Sequence, residues 1–130
     1  MKYLVMIYSN PTSWAHPTFE NTDYYRAASP AERAEMDAQF EALLRETSAS
    51  GELVSGTPLA APSTNRVVQV RDGDTVTTDG PFAESKEQMA GFFVFDCVDI
   101  DRATELAARF PDARFGRVEV RPIMDIQPPA

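Results

Sequence analysis

Apolar side chains run almost without a break from Tyr3 to Tyr8 and stop at Ser9-Asn10-Pro11, a pattern that predicts a buried first strand. From Ser9 to about Ala28 there is no regular period, although Trp14, His16, Phe19, Tyr24 and Tyr25 fall in this stretch. An irregular segment this long is either a functional loop or conceals a helical turn. Ser29-Pro30-Ala31-Glu32 then marks a helix start, with a capping serine, a proline at the first helical position and a glutamate placed for a capping box. Met36, Phe40, Leu43, Leu44 and Thr47 share one face of that helix, and Gly51 stops it.

Glu52 to Ala60 is extended in character but interrupted by Gly56 and Pro58, which predicts a short or irregular strand. Arg66–Arg71 and Asp74–Thr78 flank Asp72-Gly73, a strong hairpin-turn dipeptide. After the tight turn Asp79-Gly80-Pro81-Phe82 and a polar run, Gly91 to Val98 is the most hydrophobic strand. Asp99 or Asp101 caps a second helix whose stripe is Ala103, Leu106, Ala107 and Phe110, closed by Pro111. Val118 and Val120 alternate with Arg117, Glu119 and Arg121, as in a strand with one wet face, and Pro122 puts that strand at an edge or at its own end. Pro128 and Pro129 mark a tail. The expected core is Phe40, Leu44, Phe93, Phe95 and Leu106.

Strands that do not alternate strictly with helices argue for an α+β domain with a mostly antiparallel sheet, and a ferredoxin-like arrangement is the economical solution. Two helices cover one face of such a sheet. The first strand and the strand at Phe92–Phe95 are apolar at both odd and even positions, so the open face calls for a partner, most simply a second copy of the chain.

Composition narrows the functional classes. With 130 residues, 43% hydrophobic and 25% charged, the chain is a single globular domain, 1–130, that folds without a staple. A formal charge of −8, with basic residues scattered, disfavours direct nucleic-acid or anionic-membrane binding. No run approaches the roughly 20 apolar residues of a membrane span. The start lacks a signal-peptide core, so a cytoplasmic protein is expected. Cys97, the single cysteine, lies in an apolar strand and reads as a buried structural thiol. One histidine, one distant cysteine and acids without ligand spacing give no metal site. No phosphate-cradling or dinucleotide glycine loop and no Gly-x-Ser-x-Gly elbow is present, so no cofactor is implied.

Asp79-Gly80-Pro81-Phe82-Ala83-Glu84-Ser85-Lys86-Glu87-Gln88 resembles the signature of the DGPF branch of the YCII-related proteins. The opening Met1–Tyr8, the Arg71-Asp72-Gly73 hairpin and the closing Gly116–Ile123 are similar to it as well. The resemblance implies a ferredoxin-like fold of the dimeric α/β-barrel type and a homodimer. Some relatives of this branch accompany extracytoplasmic-function sigma factors, which implies a regulatory association. The wider group carries a histidine–aspartate pair with the histidine near the start of the first helix. Ser29 to Met36 contains no histidine here, so that pair is not carried over.

Two sets of residues are candidates for chemistry. Gly80-Pro81 stiffens the signature turn, which could hold Asp79 beside Glu84 and Lys86; carboxylates paired near an ammonium can make a general base. In the alternative reading Asp79 caps the turn, Phe82 plugs the core, and Glu84, Ser85, Lys86 and Glu87 are solvated. His16, the sole histidine, lies in a loop whose Trp14, Phe19, Tyr24 and Tyr25 could lid a ligand pocket; the alternative is a surface histidine in a loop its aromatics merely anchor. Two functions follow. One is a non-catalytic module that binds a small ligand or regulates a basic partner such as a sigma factor. The other is cofactor-free proton transfer, of isomerase or lyase type, on a small ring compound, with Asp79 or Glu84 as base and Lys86 as electrostatic stabiliser.

Overall fold

A computed structural model describes residues 1–82 and 87–126. The first strand, β1 (Lys2–Ser9), occupies the predicted apolar run. The aperiodic segment after it hides a single 3-10 turn at Phe19–Asn21 and a five-residue helix, α1 (Asp23–Ala27), whose start is capped by the Thr22 hydroxyl. The long helix α2 (Pro30–Ser50) begins where its caps predict: the Ser29 hydroxyl accepts from the Glu32 amide at 3.1 Å, and Gly51 ends it in a left-handed conformation. There follow β2 (Leu53–Pro58), β3 (Arg66–Arg71), β4 (Asp74–Asp79), β5 (Gln88–Asp96), α3 (Ile100–Ala108) and β6 (Arg117–Pro122). Asp99, of the two aspartates considered, caps α3 by accepting from the Arg102 amide at 2.8 Å.

Four strands make one antiparallel sheet in the order β2-β5-β1-β6, while β3 and β4 pair only with each other. Both longer helices lie on one face, where Tyr3, Val5 and Ile7 of β1 meet Leu43, Phe95, Ala103, Leu106 and Phe110. Because side chains alternate along a strand, Leu4, Met6 and Tyr8 point the other way, beside Phe92 and Val94 of β5. Val118 and Val120 turn inward from β6, the edge strand.

Three expectations need correction. Phe95 and Leu106 are fully buried, but Phe40, Leu44 and Phe93 are only half-buried, since Phe40 and Phe93 face a cavity instead of closing it. Phe82 does not plug the core and is 84% exposed. Gly56 does not break β2. It lies across from Phe93, and a Cβ there would sit 2.6 Å from the Phe93 ring, so the missing side chain is what lets the ring lie over the strand.

Candidate functional site

The cavity forms where four separated parts of the chain bring aromatic rings together. α2 supplies Phe40, β5 supplies Phe93, the loop after β1 supplies Phe19, and the turn after α3 supplies Phe110. Phe19 and Phe40 meet edge to face with centroids 5.4 Å apart, Phe40 and Phe93 do the same at 6.4 Å, and Phe93 and Phe110 tilt together at 4.9 Å. Such geometries hold rings firmly without stacking them flat. The space they leave is ≈ 220 Å³, completed by Ile7, Pro17, Pro58 and Gly91.

Asp112 lines the same cavity, in the 3-10 turn Pro111–Arg114 that leads into β6. It is 5% exposed. Burial, opposed only by a hydrogen bond from its own backbone amide, pushes its carboxyl up to about 6. The group therefore changes charge near neutrality. When ionised it is a strong acceptor for any hydrogen-bond donor entering the cavity, and when protonated it can donate.

The predicted site residues are dispersed. Asp79 ends β4 with its side chain 86% exposed, its carboxylate 3.6 Å from Arg66 Nε across the open end of the hairpin, and it does not line the phenylalanine cavity. Glu84 and Lys86, like Ala83, Ser85 and the tail prolines Pro128 and Pro129, lie outside the described residues. His16 is exposed, and its carbonyl accepts from the Asn21 side chain at 2.7 Å and the Thr18 amide at 2.8 Å. Phe19 is the loop aromatic that reaches the cavity, with Pro17 and Thr18 beside it. Tyr25 backs Phe19 edge to face at 5.7 Å and donates to both Asp37 carboxylate oxygens at 3.0 and 2.9 Å. Trp14 is half-buried away from it, and Tyr24 stacks on Phe115 at 4.7 Å beside a second cleft. Sequence reasoning missed Asp112; the available signal was an acid set between Phe110-Pro111 and Phe115, at the end of an apolar helix stripe.

Two groups elsewhere are structural. Arg102 donates to both Glu52 oxygens at 2.8 and 3.0 Å, which ties the start of α3 to the start of β2 and holds the Glu52 carboxyl below its usual range. Cys97 is buried, and desolvation raises its thiol, as expected for a structural cysteine. Among the described residues there is no cluster of three metal-ligating side chains, and no helix is long and apolar enough to cross a membrane.

An antiparallel β2-β5-β1-β6 sheet carrying both long helices on one face defines a ferredoxin-like α+β protein, here with an aromatic cavity under its loop-and-helix layer. The chain belongs to the YCII-related domain family, which it matches over residues 1–127. It is also similar to an uncharacterized protein of Rhizobium meliloti (strain 1021), with 43% identity over 58 residues. That match takes in 43% of this chain and 47% of the relative, so it spans about half the length of the curated protein.

Proposed function

We propose that the protein is a non-catalytic binding module for a small, mostly apolar molecule. The supporting observation is the cavity itself: four phenylalanine rings around ≈ 220 Å³ with Asp112 as the one titratable group in its wall among the described residues. A concave apolar site with few polar groups is the usual form of a ligand pocket, and here the half-buried Phe40 and Phe93 rings gain burial when it fills. The chemistry selects a ring-sized compound bearing a single hydrogen-bond donor. Phenol and its methyl ether, anisole, test this directly by calorimetry or chemical-shift titration. Phenol should saturate, anisole should bind at least several-fold more weakly, and Asp112→Asn should narrow the difference. Failure of both probes to saturate, or equal affinity for both, rejects the reading.

A second reading draws support from the position of the Asp112 carboxyl near neutrality. Cofactor-free proton transfer, of isomerase or lyase type, would then use Asp112 as the base, since the exposed Asp79 does not line this cavity. Turnover that rises with pH through about 6 and vanishes in Asp112→Asn while binding persists would favour it over the first.

The partners proposed with this function are a second copy of the chain and a basic protein. Half-buried Leu4, Phe92 and Val94, beside Met6, which is already buried in the single chain, make an apolar strip on the sheet face away from the helices, suited to a sheet-to-sheet homodimer. A charge of −8 suits a basic partner, and the DGPF resemblance suggests a sigma factor. The reading sets the protein in the cytoplasm, where Cys97 stays reduced.

A further inference from the structure

A second cleft, of ≈ 260 Å³, opens where the end of β1 meets α1 and the start of β6, and it shares no lining residue with the phenylalanine cavity. Its character is different. Asp23 and Glu87 contribute carboxylates, Asn10 an amide, and Tyr24 and Phe115 the aromatic wall, while no Lys, Arg or His among the described residues lines it. Glu87 has Arg117 at 4.0 Å, a loose and partly exposed contact; Asp23 forms no ion pair among the described residues.

The observation that points to a ligand is Ser9. Its side chain follows Tyr3, Val5 and Ile7 onto the helix-covered side of β1, where the last three fill the core. Ser9 instead lines the cleft, is 2% exposed, and its hydroxyl has no hydrogen-bond partner among the described residues. A buried hydroxyl left unsatisfied is destabilising, and alanine would fit the same place without that penalty. A serine here makes physical sense when something that enters the cleft bonds to it.

The geometry points to a site for a small primary ammonium compound in this cleft. The Asp23 carboxylate matches its charge, the Ser9 hydroxyl and Asn10 carbonyl take its N–H donors, and the stacked Tyr24 and Phe115 rings offer π-density to a cation. A quaternary ammonium would satisfy the charge and the rings but leave Ser9 unbonded, so the site discriminates between the two.

Calorimetric titration of the full chain with ethanolammonium at neutral pH tests the assignment, with tetramethylammonium as the comparison. Ethanolammonium should bind saturably and tetramethylammonium at least several-fold more weakly. Asp23→Asn and Ser9→Ala should each weaken ethanolammonium about tenfold or more, the scale of a hydrogen bond to a charged group. Ser9→Ala should also melt at or above the temperature of the unaltered protein, a gain that no loss of folding could mimic. Absence of saturable binding, equal affinity for the quaternary ion, or variants that bind unchanged would each overturn it. Phenol affinity should be the same in all three proteins, which separates failure here from failure at the phenylalanine cavity.

Discussion

Asp112 and Glu52 show how different surroundings give two carboxylates opposite effects on stability: burial raises the first, and the Arg102 hydrogen bonds lower the second. The Asp112 carboxyl lies above its usual value of 3.8, at about 6, because burial disfavours its charge. Between those pH values the unfolded chain ionises it and the folded chain does not, so this group's effect on stability falls as pH rises from about 4 to about 6 and stays low above that. The loss is on the order of 2–3 kcal/mol. Asp112→Asn should therefore raise the urea midpoint at pH 7 and leave it nearly unchanged at pH 4; an equal effect at both would show that the carboxyl is not desolvated. Glu52 works the other way. The Arg102 guanidinium holds its carboxyl low, so the stabilisation is present at neutral pH and disappears as acid protonates the pair. In the core, Phe95→Ala should cost about 3–5 kcal/mol, read as a lower denaturation midpoint, because Phe95 is completely buried against Phe93 and Phe110.

At the scale of elements, the loop after β1 and the β3–β4 hairpin contrast. The loop is fastened: Thr12 donates to the Asn21 carbonyl from both its amide and its hydroxyl, Tyr25 bonds Asp37, and Arg33 bonds the carbonyls of Tyr25 and Arg26. Tyr25→Phe should release that fastening, seen as faster hydrogen exchange at Thr18 and Thr22 with little change in global melting. Ser29→Ala should cost about 1 kcal/mol through loss of the α2 cap, measurable in a chemical denaturation curve. Among the described residues no further strand pairs with the hairpin. Val68 and Val70 are 59% and 61% exposed, and a lone two-stranded ribbon is marginal in water. Its turn is well specified even so, with Asp72 and Gly73 both at positive φ as a tight hairpin requires.

For the molecule as a whole, the proposed association is the point to test. One sheet face is covered by helices, and the other carries Leu4, Met6, Phe92 and Val94 between the Ser55 and Thr57 edge and the charged Arg117, Glu119 and Arg121 row. Sedimentation at micromolar concentration should give twice the 14.4 kDa chain mass, and Phe92→Glu should return a folded single chain. A single chain in the unaltered protein would remove the dimer from the proposal. A Phe92→Glu protein that stays double would place the contact elsewhere, for instance along the exposed hairpin.

Local chemistry made much of this architecture legible in the sequence. Ser29, Pro30 and Gly51 fix the limits of α2 through backbone groups within a few residues, Asp99 does so for α3, and Asp72-Gly73 fixes a turn by dihedral preference alone. The both-sided apolar character of β1 and β5 called for burial of both their faces, and the structure places these two strands at the centre of the sheet. What only the tertiary structure decided are properties that exist between distant segments. Phe40 and Phe93 read as core because hydrophobicity is local, yet whether such rings close a space or wall one depends on how α2, β5 and the Phe19 loop meet. Gly56 reads as a breaker until Phe93 lies over it. Asp112 does not stand out in the sequence, and Ser9 only ends an apolar run. Desolvation gives the first its altered acidity and leaves the hydroxyl of the second without a partner, and desolvation is set by the three-dimensional surroundings of a group, which its neighbours in sequence do not specify.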